Sequence, residues 1–362
     1  METNTQVVYT NWDPCNNVEM LGLQRLTFKE WTQNPMGIYL YAIDYRYKFN
    51  SAELNFAKLY NNVHILLDDT LEGFSLRSFK KVYNLVKTHN LQNRVIYATG
   101  HLDAEQEYEV WLQNYKKIYN VYPMNNWFWR HRDWTVDCGN EVSIDKNLWY
   151  CCLQNRPRQH RLATTVYLYY LDLLKHGLVS SNVYNLKNKF NPWEFDKTDI
   201  LKEQIESVEK ILPLSLDVFG DIDKCLPNDL NPDIYGKTLI NLVSETFYFE
   251  NDNNFVSEMF ITEKTYKVFT SYQIPVIIGP RGIVNRLRNY GFDMFDDIVD
   301  HSYDDLDDKS RVLAAVDTLK TIIENNNLQQ LNNITKLRRI QNKKMYLAGL
   351  DIDKKVTDYL CI

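Results

Sequence analysis

The chain has 362 residues and a formal net charge of −6, with 24% charged and 44% hydrophobic residues. This length exceeds what one hydrophobic core usually reaches, so two globular domains are expected, and the composition excludes a disordered protein. The absence of any run of about 18 apolar residues argues against a spanning helix. Met1–Thr5 lack the basic and apolar parts of a secretory signal. The acidic balance argues against indiscriminate nucleic-acid coating.

The six cysteines form no CxxC pair and no spacing typical of metal ligands. Cys151 and Cys152 are adjacent within an apolar run, which favours buried free thiols. Free thiols are typical of a reducing environment, so the sequence predicts a cytoplasmic protein. Aromatic residues reach 14%, with 25 Tyr and 8 Trp, which fits either a tyrosine-rich core or stacking on a sugar or a base.

Apolar runs alternate with helical patterns in the first part of the chain. Buried strands are predicted over 37–43, 63–67 and 94–98, and helices over 75–87, with Ser75 as its N-cap, and 104–117. Strands that alternate with helices indicate a parallel sheet covered on both faces.

The second part of the chain repeats this alternation, and we place the boundary near residues 140–148. Strands are predicted over 149–153, 214–219, 239–243 and 274–278. Helices are predicted over 161–175, 262–272 and 313–341. We expect Gly177 to cap the helix over 161–175, and the helix over 313–341 to be interrupted near 325–327. Two such domains predict a cleft between them, with ligands at the carboxyl ends of the strands.

The densest basic cluster, Asn155–Arg161, lies between a predicted strand and a predicted helix. Backbone N–H groups and the helix dipole favour an anion at such a position. The arginines, Arg158 and Arg161 among them, can clamp a diphosphate through paired hydrogen bonds. The alternative is a solvated turn.

A second candidate begins the helix predicted from Thr262. Thr262 is the expected N-cap, and Glu263 suits the first turn. Lys264 opposes the helix dipole there, a conflict that a bound anion would remove. Glu263 can accept hydrogen bonds from ribose or sugar hydroxyls while Lys264 meets phosphate. The alternative is that both are ordinary helix-end charges.

The third candidate is the loop Thr99–Asp103, which follows a predicted strand. His101 is the candidate base in this loop, because histidine as a residue type suits general-base work at neutral pH, although a loop histidine is more often structural. If His101 is not the base, the alternative candidates are the carboxylates of Asp103, Asp68, Asp69 and Glu72.

Asp221 and Asp223 form a DxD pattern, which some enzymes use to bind a metal ion. Such a short pattern often arises by chance, so we predict no metal site. Walker, GxGxxG and GxSxG motifs are absent from the sequence.

The order of three segments resembles the alpha-1,3-fucosyltransferase family. Leu216–Gly220 resembles a strand of that family that ends in glycine. Phe260–Lys264 resembles its TEK motif, and Ile274–Gly279 its PV strand. Either Phe249–Asn251 or Ser244 with Glu245 occupies the position of its acidic stretch. The turn with Arg161, and next Arg158, resembles its diphosphate-binding turn.

The resemblance covers roughly residues 90–325 and implies a GT-B fold, two Rossmann-like parallel-sheet domains that face a central cleft. It implies an acceptor-side domain over 1–145, a donor domain over 146–330, and a C-terminal helical segment over 331–362 that packs on the first domain. It also implies an inverting, metal-independent transferase without a cofactor, whose co-substrate is a nucleotide-diphosphate sugar, with a GDP-sugar favoured. The donor-binding residues implied are Arg158, Arg161, Gly220, Ser244, Glu245, Thr262, Glu263 and Lys264.

In place of the carboxylate that the family's TG loop carries as base, this chain has His101, so His101 and Asp103 are the predicted catalytic residues. Trp127, Trp129 and Arg130 are the predicted acceptor-binding residues; interdomain packing is the alternative. The acceptor is either a glycan or a hydroxylated base in DNA, which requires a flipped nucleotide and local basic surface. A rival of another class is a non-catalytic nucleotide or nucleic-acid binding module. The sequence leaves the sugar, the acceptor and the oligomeric state open.

Overall fold

The computed structural model describes residues 8–11, 23–35, 37–44, 59–70, 79–124, 142–216, 230–248 and 259–348. These residues divide into two compact units. The described part of the first lies within residues 8–124 together with 259 and 260, and that of the second within 142–248 and 261–348. Two units agree with the length of the chain. In the described residues, no helix is both long enough and apolar enough to cross a membrane.

The first unit contains a six-stranded sheet whose neighbouring strands all run parallel. In the spatial order β2-β1-β3-β4-β5-β6, its strands are β1 (Val8–Thr10), β2 (Gln24–Arg25), β3 (Ile38–Asp44), β4 (Val63–Asp69), β5 (Val95–Thr99) and β6 (Asn120–Pro123). Its helices are α1 (Phe28–Gln33), α2 (Phe79–Thr88) and α3 (Ala104–Trp111). The strands predicted in this half are confirmed, whereas Ser75 lies outside the described residues.

Aromatic side chains form much of the core of this unit. Tyr39, Tyr97, Tyr108, Tyr119 and Trp31 each leave less than 2% of their surface exposed. Buried tyrosines need a partner for the hydroxyl, and Tyr108 and Tyr119 donate theirs to backbone carbonyl oxygens at 2.8 and 2.9 Å. Part of the tyrosine surplus in the composition is therefore core packing.

The second unit contains a four-stranded parallel sheet of spatial order β10-β9-β7-β8. The strands are β7 (Leu148–Gln154), β8 (Gly177–Ser181), β9 (Thr238–Ser244) and β10 (Ile274–Ile278). The helices are α4 (Gln159–Tyr170), α5 (Leu186–Lys189), α6 (Thr198–Glu209), α7 (Pro232–Tyr235), α8 (Glu263–Thr270), α9 (Ile283–Asn289), α10 (Asp308–Asn325) and α11 (Leu328–Ala348). Both units are thus α/β structures on parallel sheets, which confirms the predicted fold class.

Gly177 does not cap a helix, contrary to the prediction. The helix α4 ends at Tyr170, and Gly177 is the first residue of β8. A Cβ atom at Gly177 would lie 2.5 Å from the ring of Tyr150 and 2.6 Å from its carbonyl oxygen. The glycine is needed because two strands approach closely, a tertiary requirement that local sequence does not reveal.

The strand predicted over 214–219 is only partly described. Leu214 forms an isolated antiparallel bridge with Ser181, in which both backbone N–H groups donate across the pair at 2.9 and 3.2 Å. This segment therefore pairs at the end of β8, and within its described residues it adds no strand to the parallel sheet. Residues 217–229, Gly220 included, lie outside the described residues.

The C-terminal helices lie in the second unit. The predicted interruption is confirmed, because α10 ends at Asn325 and α11 begins at Leu328. The helix α11 packs on α8, where the rings of Tyr266 and Tyr346 stack at 5.6 Å. The described part of the segment over 331–362 thus lies in the second unit. Residues beyond 348 lie outside the described residues.

Candidate anion-binding site

The candidate site lies at the carboxyl edge of the second sheet. After β7, the chain forms α4 and then β8, which pairs with one side of β7. The strand β9 pairs with the other side of β7. The order of strands therefore reverses between β7 and β9. Open parallel sheets bind ligands at such a switch point, outside the carboxyl ends of the strands.

The turn from β7 into α4 carries two arginines, Arg156 and Arg158, whose side chains have no partner among the residues that the structure describes. Arg158 is the N-cap residue of α4, and its side chain makes no cap hydrogen bond. Arg158 is half-buried, and burial, followed by the charge of Arg156, lowers the pKa of its guanidinium. Within the described residues, neither side chain forms an ion pair or a hydrogen bond. A half-buried cation beside an uncapped helix N-terminus is the electrostatic pattern of an anion site.

Arg161 has an internal role in this structure. Only 4% of its surface is exposed, and its Nη2 donates to the carbonyl oxygens of Ser244 and Glu245, both at 3.1 Å. Its Nη1 reaches the carbonyl oxygen of Arg156 at 3.4 Å. Burial, followed by the charge of Arg158, lowers the pKa of Arg161 to about 10. Arg161 therefore ties the β7–α4 turn to the end of β9.

The carboxylate of Glu245 lies at the N-terminus of α8. The residue is fully buried and accepts the Thr262 N–H at 3.1 Å, the Thr262 hydroxyl at 2.7 Å and the Thr265 hydroxyl at 2.6 Å. A fourth hydrogen bond comes from the Thr246 N–H at 3.1 Å. Four donors therefore surround the Glu245 carboxylate at the start of α8.

Thr262 is the N-cap of α8, as predicted. Its hydroxyl accepts the Lys264 N–H at 3.4 Å. The Lys264 ammonium contacts Glu263 Oε1 at 3.2 Å, Thr262 Oγ1 at 3.0 Å and Thr246 Oγ1 at 3.3 Å. Glu263 is largely buried and Lys264 half-buried. The two charges thus neutralise each other, so Glu263 compensates the unfavourable interaction of the Lys264 ammonium with the helix dipole.

His160 completes the inner wall of the site, and the sequence analysis missed it. Its Nε2 lies 3.0 Å from the carbonyl oxygen of Glu245, and its ring stacks on Tyr248 at 4.9 Å. Since a carbonyl only accepts, Nε2 carries the proton. Burial, followed by the charge of Arg161, lowers the pKa of His160 to about 3. The histidine is neutral at physiological pH and has a packing role.

In the first unit, the Thr99–Asp103 loop encloses its histidine. His101 has no exposed surface, and its Nε2 lies 3.1 Å from Glu107 Oε1. Gly100 is required there, because a Cβ atom would lie 2.5 Å from the Phe260 ring. Asp103 is half-buried and makes no cap hydrogen bond to α3. Of the two predicted catalytic residues, Asp103 is the accessible one.

Two further carboxylates end β4. Asp69 is buried and accepts a hydrogen bond from the Tyr97 hydroxyl. Asp68 is half-buried and accepts the Thr70 N–H at 3.1 Å and the Thr70 hydroxyl at 2.7 Å. The carboxyl edge of this sheet therefore combines an enclosed acid with a partly accessible one.

Several predicted residues lie outside the described residues. They are Glu72, Trp127, Trp129, Arg130, Gly220, Asp221 and Asp223, together with the segment 249–251. In the ranges that the structure describes, no group of three or more His, Cys, Asp or Glu side chains is placed to hold a metal ion.

No family model matches the chain, and no curated protein matches it. Among solved structures, it is similar to a glycosyltransferase from Rickettsia africae ESF-5, at 12% identity over 92% of this chain and 79% of that chain, with a TM-score of 0.40. A mutant of T4 phage BGT in complex with UDP-glucose matches at 10% identity over 96% and 97%, with a TM-score of 0.34. An alpha1,3-fucosyltransferase with GDP matches at 10% identity over 98% and 94%, with a TM-score of 0.30. The low identities and TM-scores assign no role to any residue.

Proposed function

We propose that the protein is a glycosyltransferase that moves a sugar from a nucleotide-diphosphate sugar to an acceptor hydroxyl. One observation carries the proposal. The half-buried Arg158 guanidinium has no partner within the described residues and stands beside an uncapped helix N-terminus at the switch point of a parallel sheet. Such a position favours phosphate groups, since backbone N–H groups and a planar guanidinium both bind them.

The order of motifs supports a transferase over other phosphate-binding proteins. The TEK segment at Thr262 and the PV strand β10 follow the β7–α4 turn in the order that the fucosyltransferase family has. Two α/β units on parallel sheets are also the architecture of GT-B enzymes. The resemblance to the alpha-1,3-fucosyltransferase family favours a GDP-sugar as the donor, and a UDP-sugar is the alternative.

In the proposed reaction, the second unit binds the donor. The acceptor oxygen attacks the anomeric carbon, the bond from that carbon to the diphosphate oxygen breaks, and the nucleoside diphosphate leaves with the bonding electron pair. Charge grows on the leaving oxygen, so Arg158, Arg156 and the start of α4 stabilise the transition state more than the ground state. Arg161 is a positioning residue, because its guanidinium is held by backbone carbonyls.

The first unit supplies the base that accepts the acceptor's hydroxyl proton. Asp103 is our first choice over His101, because a general base must reach the proton that it removes and His101 has no exposed surface. Direct attack with one displacement inverts the anomeric centre. We propose that the reaction needs no metal ion, since the cations of the β7–α4 turn take that role.

Turnover is tested by incubating the protein with GDP- and UDP-sugars and measuring the release of free nucleoside diphosphate. Each donor is assayed alone, with glycan acceptors, and with DNA that contains hydroxylated bases. We expect release with one donor and one acceptor class, unaffected by EDTA. Arg158→Ala should lower kcat by roughly 100-fold, the scale for loss of one group that stabilises a leaving oxyanion.

The matched control is Lys210→Ala, which removes the same charge from the exposed end of α6. It should retain full activity. Donor binding without release of diphosphate from any donor would contradict the proposal and leave a binding module. Loss of activity in EDTA that Mg²⁺ or Mn²⁺ restores would contradict the metal-free mechanism.

A further inference from the structure

A surface segment lies beside the β7–α4 turn. It is formed by residues 182–193, which follow β8 and include α5. Near its start, Asn182 Nδ2 donates to Asn155 Oδ1 at 3.4 Å. Near its end, the Asn191 N–H donates to Gln159 Oε1 at 2.8 Å. Hydrogen bonds thus hold both ends of the segment against the turn, so segment and turn form one continuous surface of the second unit.

The side chains of the 182–193 segment fall into two sets. Val183, Leu186, Phe190 and Pro192 are buried and fix the backbone. The exposed side chains are polar, basic or aromatic, and they are Asn182, Tyr184, Asn185, Lys187, Asn188, Lys189, Asn191 and Trp193. The buried set therefore holds a polar and aromatic face toward solvent.

This face is positively charged. The segment has no acidic residue, and the ammonium groups of Lys187 and Lys189 form no ion pair or hydrogen bond within the described residues. The adjoining turn over 155–161 also lacks acidic residues and carries three arginines. The acid next along the chain, Glu194, is half-buried and accepts a hydrogen bond from the Asn191 amide at 3.0 Å. A local positive surface on a chain of net charge −6 favours a polyanion.

The same face carries two exposed aromatic rings. Tyr184 and Trp193 are each 65% exposed, more than any other aromatic side chain in the described part of the chain. The Lys202 ammonium of α6 lies over the Trp193 ring, 4.4 Å from its centroid, and adds a cation beside the indole. Rings interleaved with cations are typical of surfaces that bind single strands, because bases stack on the rings while phosphates meet the cations.

We propose that the 182–193 segment binds single-stranded nucleic acid, with bases stacked on Tyr184 and Trp193 and phosphates at Lys187 and Lys189. Each nucleotide brings one negative charge and one aromatic face, and the surface offers partners for both. A duplex fits poorly, because its bases are already stacked on one another. DNA and RNA share this chemistry. The binding does not rest on sugar transfer, since Arg158 is not among these four residues.

The experiment measures binding of the full chain to labelled single strands of oligothymidylate and oligouridylate by fluorescence anisotropy, over a range of salt concentrations. Trp193→Ala and Tyr184→Ala should each weaken the affinity by about tenfold, as for loss of one base–aromatic stack, and leave the salt dependence unchanged. Replacement of both Lys187 and Lys189 by Ala should lower the slope of log affinity against log salt by about 1.4, at about 0.7 for each phosphate contact of a single strand.

The matched controls are Tyr170→Ala and Lys210→Ala. Both residues are exposed, at the ends of α4 and α6 that lie away from the segment. Both variants should bind the single strands with the affinity and salt dependence of the wild type.

Failure of the wild type to bind either strand would overturn the inference, as would wild-type affinity in all the variants of the segment. Tighter binding of the duplex than of its single strands would overturn it as well. Competition by polyglutamate or dextran sulfate as strong as that by unlabelled oligothymidylate would show a surface for polyanions in general, since neither polymer has bases. None of these outcomes depends on whether the protein transfers a sugar.

Discussion

Arg158 and Arg161 stand one helical turn apart at the start of α4, and their surroundings differ. Arg161 is 4% exposed, with its Nη2 on two carbonyl oxygens, whereas Arg158 is half-buried and lacks a partner within the described residues. An arginine bound by carbonyls fixes the backbone, and one without an acceptor is available to a ligand. Sequence could indicate the cluster, but burial decides which member meets the ligand.

A comparison of variants at the TG loop tests the base. Asp103→Asn should lower kcat by about 100-fold or more, because the amide cannot take the acceptor proton. His101→Asn should lower the stability of the first unit and leave kcat unchanged, since the buried ring contacts Glu107. The measurements are kcat in the transfer assay and thermal melts for stability.

The reverse pattern, in which Asp103→Asn keeps its activity and His101→Asn loses activity without a loss of stability, would identify the histidine as the base. Activity in both variants would point to another carboxylate, with Asp68 the partly accessible one at the neighbouring strand end.

Glu245 shows what could not be predicted from the sequence. Its role depends on a carboxylate at the end of β9 meeting Thr262 and Thr265, which are 17 and 20 residues further on. Helix capping is usually supplied by a local side chain. A long-range carboxylate in that place leaves no local pattern, so the sequence could not show that Glu245 meets the start of α8.

At the scale of elements, a buried lysine joins the entry of β7 to two helices. Lys146 is 2% exposed, and its Nζ donates to the carbonyl oxygens of Tyr235 at 2.6 Å and Ser271 at 2.9 Å. These residues end α7 and cap α8. Arg339 of α11 donates nearby to the carbonyl oxygens of Ile144 and Tyr272. The helices that frame the sheet are thus held by cations on backbone carbonyls.

Stability should depend on pH through Lys146. Burial, followed by the charge of Arg339, lowers its pKa to about 7, from an ordinary value of 10.5. Between these values the unfolded chain binds more protons than the folded chain, so this group makes the free energy of unfolding rise with pH. Below pH 7 both states are protonated and the cost of burying the charge is fully present. The wild type should therefore gain stability relative to Lys146→Met from pH 7 to about 10.

Chemical denaturation across that range provides the measurement. Lys336→Met is the control, because Lys336 is partly exposed and pairs with Asp145 at the surface. Its stability should follow the wild type at a constant offset. A constant offset for Lys146→Met as well would show that the buried ammonium does not titrate in this window.

Elements with strong periodicity were predictable from sequence, and those set by distant contacts were not. The run of β10 was predicted at its observed bounds, because five consecutive buried residues between a turn and Gly279 form a clear pattern. The short strand β8 was missed. Its glycine start lies against Tyr150 of the neighbouring strand, and that contact exists only in the folded sheet.

At the scale of the whole molecule, length predicted two units and the alternation of strands and helices predicted that they are α/β, and the structure has two such units. The net charge of −6 had no bearing on the site, because Arg156 and Arg158 create a local positive field within an acidic chain. Local charge decides what a cleft binds, whereas net charge affects solubility and non-specific association.

Calorimetric titration of inorganic pyrophosphate into the wild type, Arg158→Ala and Lys210→Ala tests whether Arg158 binds the diphosphate. We expect binding to the wild type that weakens as salt rises, a loss of at least about tenfold in Arg158→Ala, and no change in Lys210→Ala. Equal affinity of the wild type and Arg158→Ala would show that Arg158 does not bind the diphosphate.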